Sequence, residues 1–94
     1  MPKICILDAL TLGEDADLSA FQALGEVSVY DSTAPEQVVE RIKDCEIIVT
    51  NKVVLNGSNL PYAPQVKLIC VAATGTNNID LEYTRSQNIT VTNV

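Results

Sequence analysis

Three places in the chain hold residue types that could do chemistry. The first is Thr74-Gly75-Thr76, which follows a short apolar run at 66–71 (VKLICV) and precedes Ile79-Asp80-Leu81, where a helix can begin. A buried strand, a small-residue loop and a helix start turn backbone N–H groups outward, and such groups hold an anion without a basic side chain. The same three residues also read as an ordinary β-to-α turn in which Gly75 supplies a positive φ. The second place is Asn51-Lys52, after the apolar run 47–49. Lys52 there is either a ligand-contacting cation or a solvated lysine. The third is Asp8, after the apolar residues 4–7. A metal-binding or phosphoacceptor carboxylate at that position needs acidic residues beside it, an Asp ending the third strand and a Lys ending the fifth. This chain has Thr50 and Asn93 there. Asp8 is therefore expected to hold its own loop through side-chain-to-backbone bonds.

Other chemistry is excluded. The chain has no His, which removes the commonest general acid–base. It has no Gly-x-Gly-x-x-Gly, no carboxylate pair near a nucleophile and no Cys-x-x-Cys, so no dinucleotide fingerprint and no zinc site are expected. Cys5, Cys45 and Cys70 make an odd count without regular spacing, which reads as reduced cytosolic thiols. Cys5 and Cys70 lie inside strand runs and are expected as small core residues.

These residues need a scaffold, and the pattern of apolar runs supplies one. Residues 4–7 read as a buried strand. Residues 16–24 read as a helix capped by Asp15 or Asp17, with Leu18, Phe21 and Leu24 on one face and Gly25 suited to the left-handed stop. Residues 26–30 alternate as an edge strand would. Thr33-Ala34-Pro35-Glu36 matches a capping box, opening a helix with Val38, Val39 and Ile42 inward and Glu40, Arg41 and Lys43 outward. Residues 47–49 are a third strand. Residues 53–65 are irregular, because Pro61 and Pro64 forbid a regular helix, with a turn at Asn56-Gly57 and with Leu55 and Leu60 expected to reach the core. Asp80 can cap a short helix to about Gln87, Asn88 can take the left-handed exit, and residues 89–92 form a fifth strand.

This alternation predicts an α/β, flavodoxin-like three-layer domain with a five-stranded parallel sheet in the order 2-1-3-4-5. The carboxyl edge of such a sheet would collect Asp8, Thr50-Asn51-Lys52, Thr74-Gly75-Thr76 and Asn93. Thr74-Gly75-Thr76 also resembles the phosphate loop of flavodoxins, but those carry it after the first strand. The fifth strand has no helix after it, so either another chain or segment covers it or the polypeptide is the front part of something longer.

Composition sets the outer limits. At 94 residues and 47% hydrophobic the chain can build one packed domain. The formal net charge is −6, and the first fifty residues hold 10 of the 12 acidic side chains. That acidic half is a poor partner for nucleic acid or anionic lipid. No apolar run reaches the length of a membrane span, and the N-terminus lacks a cleavage-like small-residue site, so neither a membrane anchor nor a signal peptide is expected.

The segment 71–81, VAATGTNNIDL, followed by NITVTNV at 88–94, resembles the D-isomer-specific 2-hydroxyacid dehydrogenases. The stretch ILDALTLGEDADLSAFQALGEVSVYDSTAPEQVVERIKDCEIIVTNKVVL is similar too, most of all to the glycerate dehydrogenase/hydroxypyruvate reductase branch, and the resemblance covers all 94 residues. It implies that residues 1–94 are the N-terminal part of the substrate-binding (catalytic) domain, ending before a Rossmann domain that binds NAD or NADP. It implies a homodimeric cytoplasmic enzyme acting on a small 2-hydroxy or 2-keto acid. It implies that Thr74-Gly75-Thr76 hold the substrate carboxylate through backbone N–H groups, with Asn51 and Lys52 beside the substrate. Asn78-Ile79-Asp80 matches a structural signature for loop closure and helix capping. The family's catalytic Arg, Glu and His fall outside this chain, as does its cofactor site, so no catalytic, cofactor-binding or metal residue is expected here and the 94 residues alone are expected to be inactive. A stand-alone small-carboxylate-binding or regulatory module with the same fold is the alternative.

Overall fold

Short runs of β-branched and aliphatic residues set the architecture. We describe residues 3–9, 23, 25–71 and 78–93 of a computed structural model. Among them, β1 (Lys3–Ile6), β2 (Glu26–Val29), β3 (Ile47–Thr50), β4 (Leu68–Val71) and β5 (Thr90–Asn93) form one sheet in the order β2-β1-β3-β4-β5. Every pairing is parallel. This is the predicted order. The helix expected over 16–24 lies, except for residue 23, outside the described residues.

Register decides which side chains share a face. Cys5, Ile48, Ile69 and Val91 stand side by side across β1, β3, β4 and β5. With Leu7 and Val71 they form one apolar layer, joined by Val38, Ile42, Leu55 and Leu60. Ile4, Ile6 and Val49 make a second cluster on the other face, with Val27, Ile47 and Cys70 against it. A fully buried Ile contributes roughly 1.5–3 kcal/mol relative to an exposed one, so the first layer is the main source of stability. β2 is the edge strand, with Val27 half-buried and Val29 exposed. At the opposite edge, Thr90 and Thr92 are exposed on the face of the second cluster.

Helix α1 (Pro35–Ile42) buries Val38 and Ile42 as the spacing requires, while Val39 is half-buried. Its cap sits one residue later than expected. Ala34 is the N-cap, its N–H donating to Gln37 Oε1 at 3.0 Å and its carbonyl accepting from Gln37 N at 2.9 Å. Thr33 does not cap, because its hydroxyl donates to Leu7 O at 2.6 Å and accepts from Arg41 Nη1 at 2.7 Å. A tertiary partner has won the hydroxyl from the helix end. Between β3 and β4 the chain makes one 3-10 turn, Leu60–Tyr62, and buries Leu55 and Leu60 as expected.

Helix α2 (Leu81–Ser86) is too short to persist on propensity alone. Asp80 fixes its start, accepting from Tyr83 N at 3.0 Å, and Asn88 ends it at φ 59°. Asn tolerates that left-handed backbone better than any β-branched residue. The turn returns Ile89 N to Thr84 O at 2.9 Å, which feeds the chain into β5.

Candidate functional site

Parallel pairing brings the carboxyl ends of β1 and β3 together. Leu7 N donates to Val49 O at 3.0 Å, which carries Asp8 to the start of the turn after β3. Asp8 is only 4% exposed. Its carboxylate accepts from Asn51 N at 2.8 and 3.1 Å and from Lys52 N at 2.6 Å. Thr50, fully buried, accepts from Val53 N through Oγ1 at 3.1 Å. Three successive N–H groups are thus claimed by two buried side chains. A carboxylate that accepts several backbone N–H groups is a strong local organiser. Asp8 therefore holds the neighbouring strand's turn through side-chain-to-backbone bonds; the loop after β1 that it was expected to hold lies, from residue 10 on, outside the described residues.

The same turn is tied on its other side. Asn78 Nδ2 donates to Val53 O at 2.8 Å. Leu55 N donates to Asn78 O and Asp80 N to Leu55 O, both at 2.9 Å, forming an isolated bridge between Leu55 and Ile79. Asp80 caps the helix as expected, and Asn78 ties to the turn after β3, while the loop it was expected to close lies outside the described residues. Thr74, Gly75 and Thr76 lie outside the described residues. The flanks are fixed: Val71 is 2% exposed at the end of β4 and Ile79 is 6% exposed in the bridge.

Of the expected site residues, the structure therefore places Asn51 and Lys52 at the carboxyl edge. Their main-chain N–H groups are committed to Asp8. Lys52 is exposed and Asn51 half-buried. A cavity of about 510 Å³ opens beside them, between Asp8, Thr33, Val39, Lys52, Val53 and Asn59. Two of its lining residues, Ser32 and Thr33, accept hydrogen bonds from Arg41, both at 2.7 Å, and Arg41 lies 4.1 Å from the Tyr30 ring centroid. Among the described residues no group of three or more metal-ligating side chains gathers. The Asp8–Thr50 latch was not foreseen. Its signal was an acidic residue ending an otherwise apolar strand opposite a Thr-Asn-Lys strand end.

The carboxyl end of β1 also bears on cofactor binding. A dinucleotide-binding unit presents glycine N–H groups to a pyrophosphate there. This chain presents a buried carboxylate, whose charge repels phosphate.

Comparison with known proteins gives one consistent picture. Residues 4–94 match the model for the catalytic domain of D-isomer specific 2-hydroxyacid dehydrogenases. The glycerate dehydrogenase of Methylorubrum extorquens is 41% identical over 93 residues, covering 98% of this chain and 29% of that protein. Among solved structures, a Pyrococcus horikoshii protein superposes with a TM-score of 0.88 at 25% identity, covering all of this chain and 28% of its own. The NAD+-bound 3-phosphoglycerate dehydrogenase of Entamoeba histolytica superposes at 0.81 and 26% identity, covering 98% of this chain and 32% of that one. The chain thus spans less than a third of the relatives it matches.

Proposed function

The chain belongs to the D-isomer-specific 2-hydroxyacid dehydrogenase family, and from that premise we propose that it is the first part of the substrate-binding domain of such an enzyme. The enzyme would transfer a hydride between NAD or NADP and the CH–OH carbon of a D-2-hydroxy acid of the glycerate/hydroxypyruvate type. The observation that carries this reading is the match across residues 4–94, supported by the likeness to a glycerate dehydrogenase. The full subunit is proposed to work as a cytoplasmic homodimer, with a Rossmann domain supplying the cofactor site this chain does not offer.

Each group at the carboxyl edge has a role in that reading. Thr74, Gly75 and Thr76 direct backbone N–H groups at the substrate carboxylate. Lys52 adds a positive charge beside it, and Asn51 a side-chain amide. Asp8 and Thr50 do not touch substrate. They consume the N–H groups of residues 51–53, so the turn has one shape and its side chains point in one direction. Such preorganisation reduces the ordering cost of binding.

Steady-state assay of the intact protein is the test. It is expected to oxidise NADH or NADPH with hydroxypyruvate or glyoxylate, whereas the 94-residue chain alone gives no hydride transfer. Failure of the intact protein with both cofactors and both acids overturns the proposed activity. Robust turnover by the 94 residues overturns the assignment of the catalytic groups elsewhere.

A further inference from the structure

The turn at Asn56-Gly57 holds a reactive pair that the proposed function does not use. Seven Asn occur in the chain, and only Asn56 precedes a glycine; the others precede Lys, Leu, Ile, Val or another Asn. A glycine nitrogen has no Cβ beside it, so it can approach the preceding side chain closely. Ser58 N donates to Asn56 Oδ1 at 2.9 Å. That bond curls the carboxamide over the Gly57 peptide and closes a ring containing both Asn56 Cγ and Gly57 N.

Nothing ties up the atoms that would react. Among the described residues Gly57 N donates to no group, and Asn56 Nδ2 is unbonded too. Gly57 and Ser58 are exposed and Asn56 is half-buried, so water reaches the pair. Asn59, three residues on, is the contrast. Its Nδ2 donates to Val54 O at 2.9 Å and its Oδ1 accepts from Asn56 N at 3.0 Å. The nitrogen that would attack it, Leu60 N, donates to Asn56 O at 2.9 Å.

We propose that Asn56 is a self-modification site that converts, in the folded protein, through a succinimide to aspartate and isoaspartate. In the first step Gly57 N attacks Asn56 Cγ. The carbonyl electron pair moves onto Oδ1, where the Ser58 N–H stabilises the developing charge. The Cγ–Nδ2 bond then breaks, and ammonia leaves with the proton from Gly57 N. In the second step water opens the cyclic imide. Cleavage between Cγ and nitrogen gives aspartate, and cleavage at the main-chain carbonyl gives isoaspartate. One water enters, one ammonia departs, and no atom is oxidised or reduced. Either product adds a carboxylate to the wall of the cavity that Asn56 shares with Lys52. Isoaspartate also lengthens the main chain by a methylene, in a turn whose Asn56 O accepts from Asn59 N at 3.2 Å and Leu60 N at 2.9 Å.

Tryptic mapping of the intact protein, incubated folded at mildly alkaline pH, reads the conversion. Peptide 53–67 holds Asn56 and Asn59 and no other Asn. It is expected to gain the mass of NH exchanged for O at Asn56, with Asn59 unchanged. It is also expected to accept a labelled methyl group from an isoaspartate-specific carboxyl methyltransferase. Gly57→Ala is expected to slow both readouts about tenfold, because a methyl beside the attacking nitrogen crowds its approach. That variant is expected to fold. The φ of Gly57 lies outside the left-handed region, and the added Cβ would stand 3.6 Å from Tyr83 Cδ2, an ordinary contact. Asn56→Ser removes the carboxamide, keeps an acceptor for Ser58 N, and is expected to abolish methyl transfer to this peptide. A Gly57→Ala variant that reacts as fast as the parent, or an Asn56 that converts only after unfolding in urea, overturns the proposal.

Discussion

Two residues at the carboxyl edge have separable duties. Asp8 is a structural anchor: its carboxylate accepts the N–H groups of Asn51 and Lys52 while 4% exposed. Asp8→Ala strands both donors and is expected to cost about 2–4 kcal/mol, whereas Asp8→Asn keeps one acceptor and costs clearly less. Urea unfolding of the two variants measures the difference, and equal losses would contradict the anchoring role. Lys52 is exposed, and the duty proposed for it is to the ligand. Lys52→Ala is expected to raise KM for a 2-keto acid about 5–30-fold with kcat nearly unchanged, since losing an interaction shared by ground and transition states has that signature. Lys52→Arg should recover part of the loss, and steady-state kinetics on the intact protein checks both. The sequence marked Lys52 as a candidate and Asp8 as a binder of backbone, but not the turn Asp8 reaches, because that depends on a strand pairing forty residues away.

At the scale of elements, local chemistry was legible wherever no tertiary partner competed. Asp80 and Asn88 start and stop α2 where their side chains and backbone preferences dictate. Asp80→Ala is expected to lower stability by about 1 kcal/mol through loss of the cap, measurable by thermal unfolding, while the preceding bridge between Leu55 and Ile79 persists. A loss beyond about 3 kcal/mol would mean that Asp80 carries more than the helix end. Thr33 shows the opposite outcome. Its type and place suggested a cap, yet Leu7 O and Arg41 took the hydroxyl, and the helix fell back on Ala34 and Gln37. The boundaries of β4 and β5 shifted by a residue or two for a related reason. Pairing ends where the neighbouring strand ends, and single-strand periodicity does not show that.

For the molecule as a whole, strand order was readable because apolar runs and turn residues alternate without interruption, and right-handed crossovers leave few arrangements. The sheet order and the two apolar layers follow from that pattern. The site was only half readable. A short loop between a buried strand and a helix announces itself, but the latches that fix its flanks join residues far apart in sequence. The central claim is that main-chain N–H groups at Thr74, Gly75 and Thr76 receive a substrate carboxylate while those of Asn51 and Lys52 stay committed to Asp8. Titration of the 15N-labelled intact protein with D-glycerate, followed through amide resonances, tests both halves at once. Saturable shifts at residues 74–76, with the Asn51 and Lys52 amides moving far less, are the expected result. Amides at 74–76 that stay unmoved at saturating acid would contradict it.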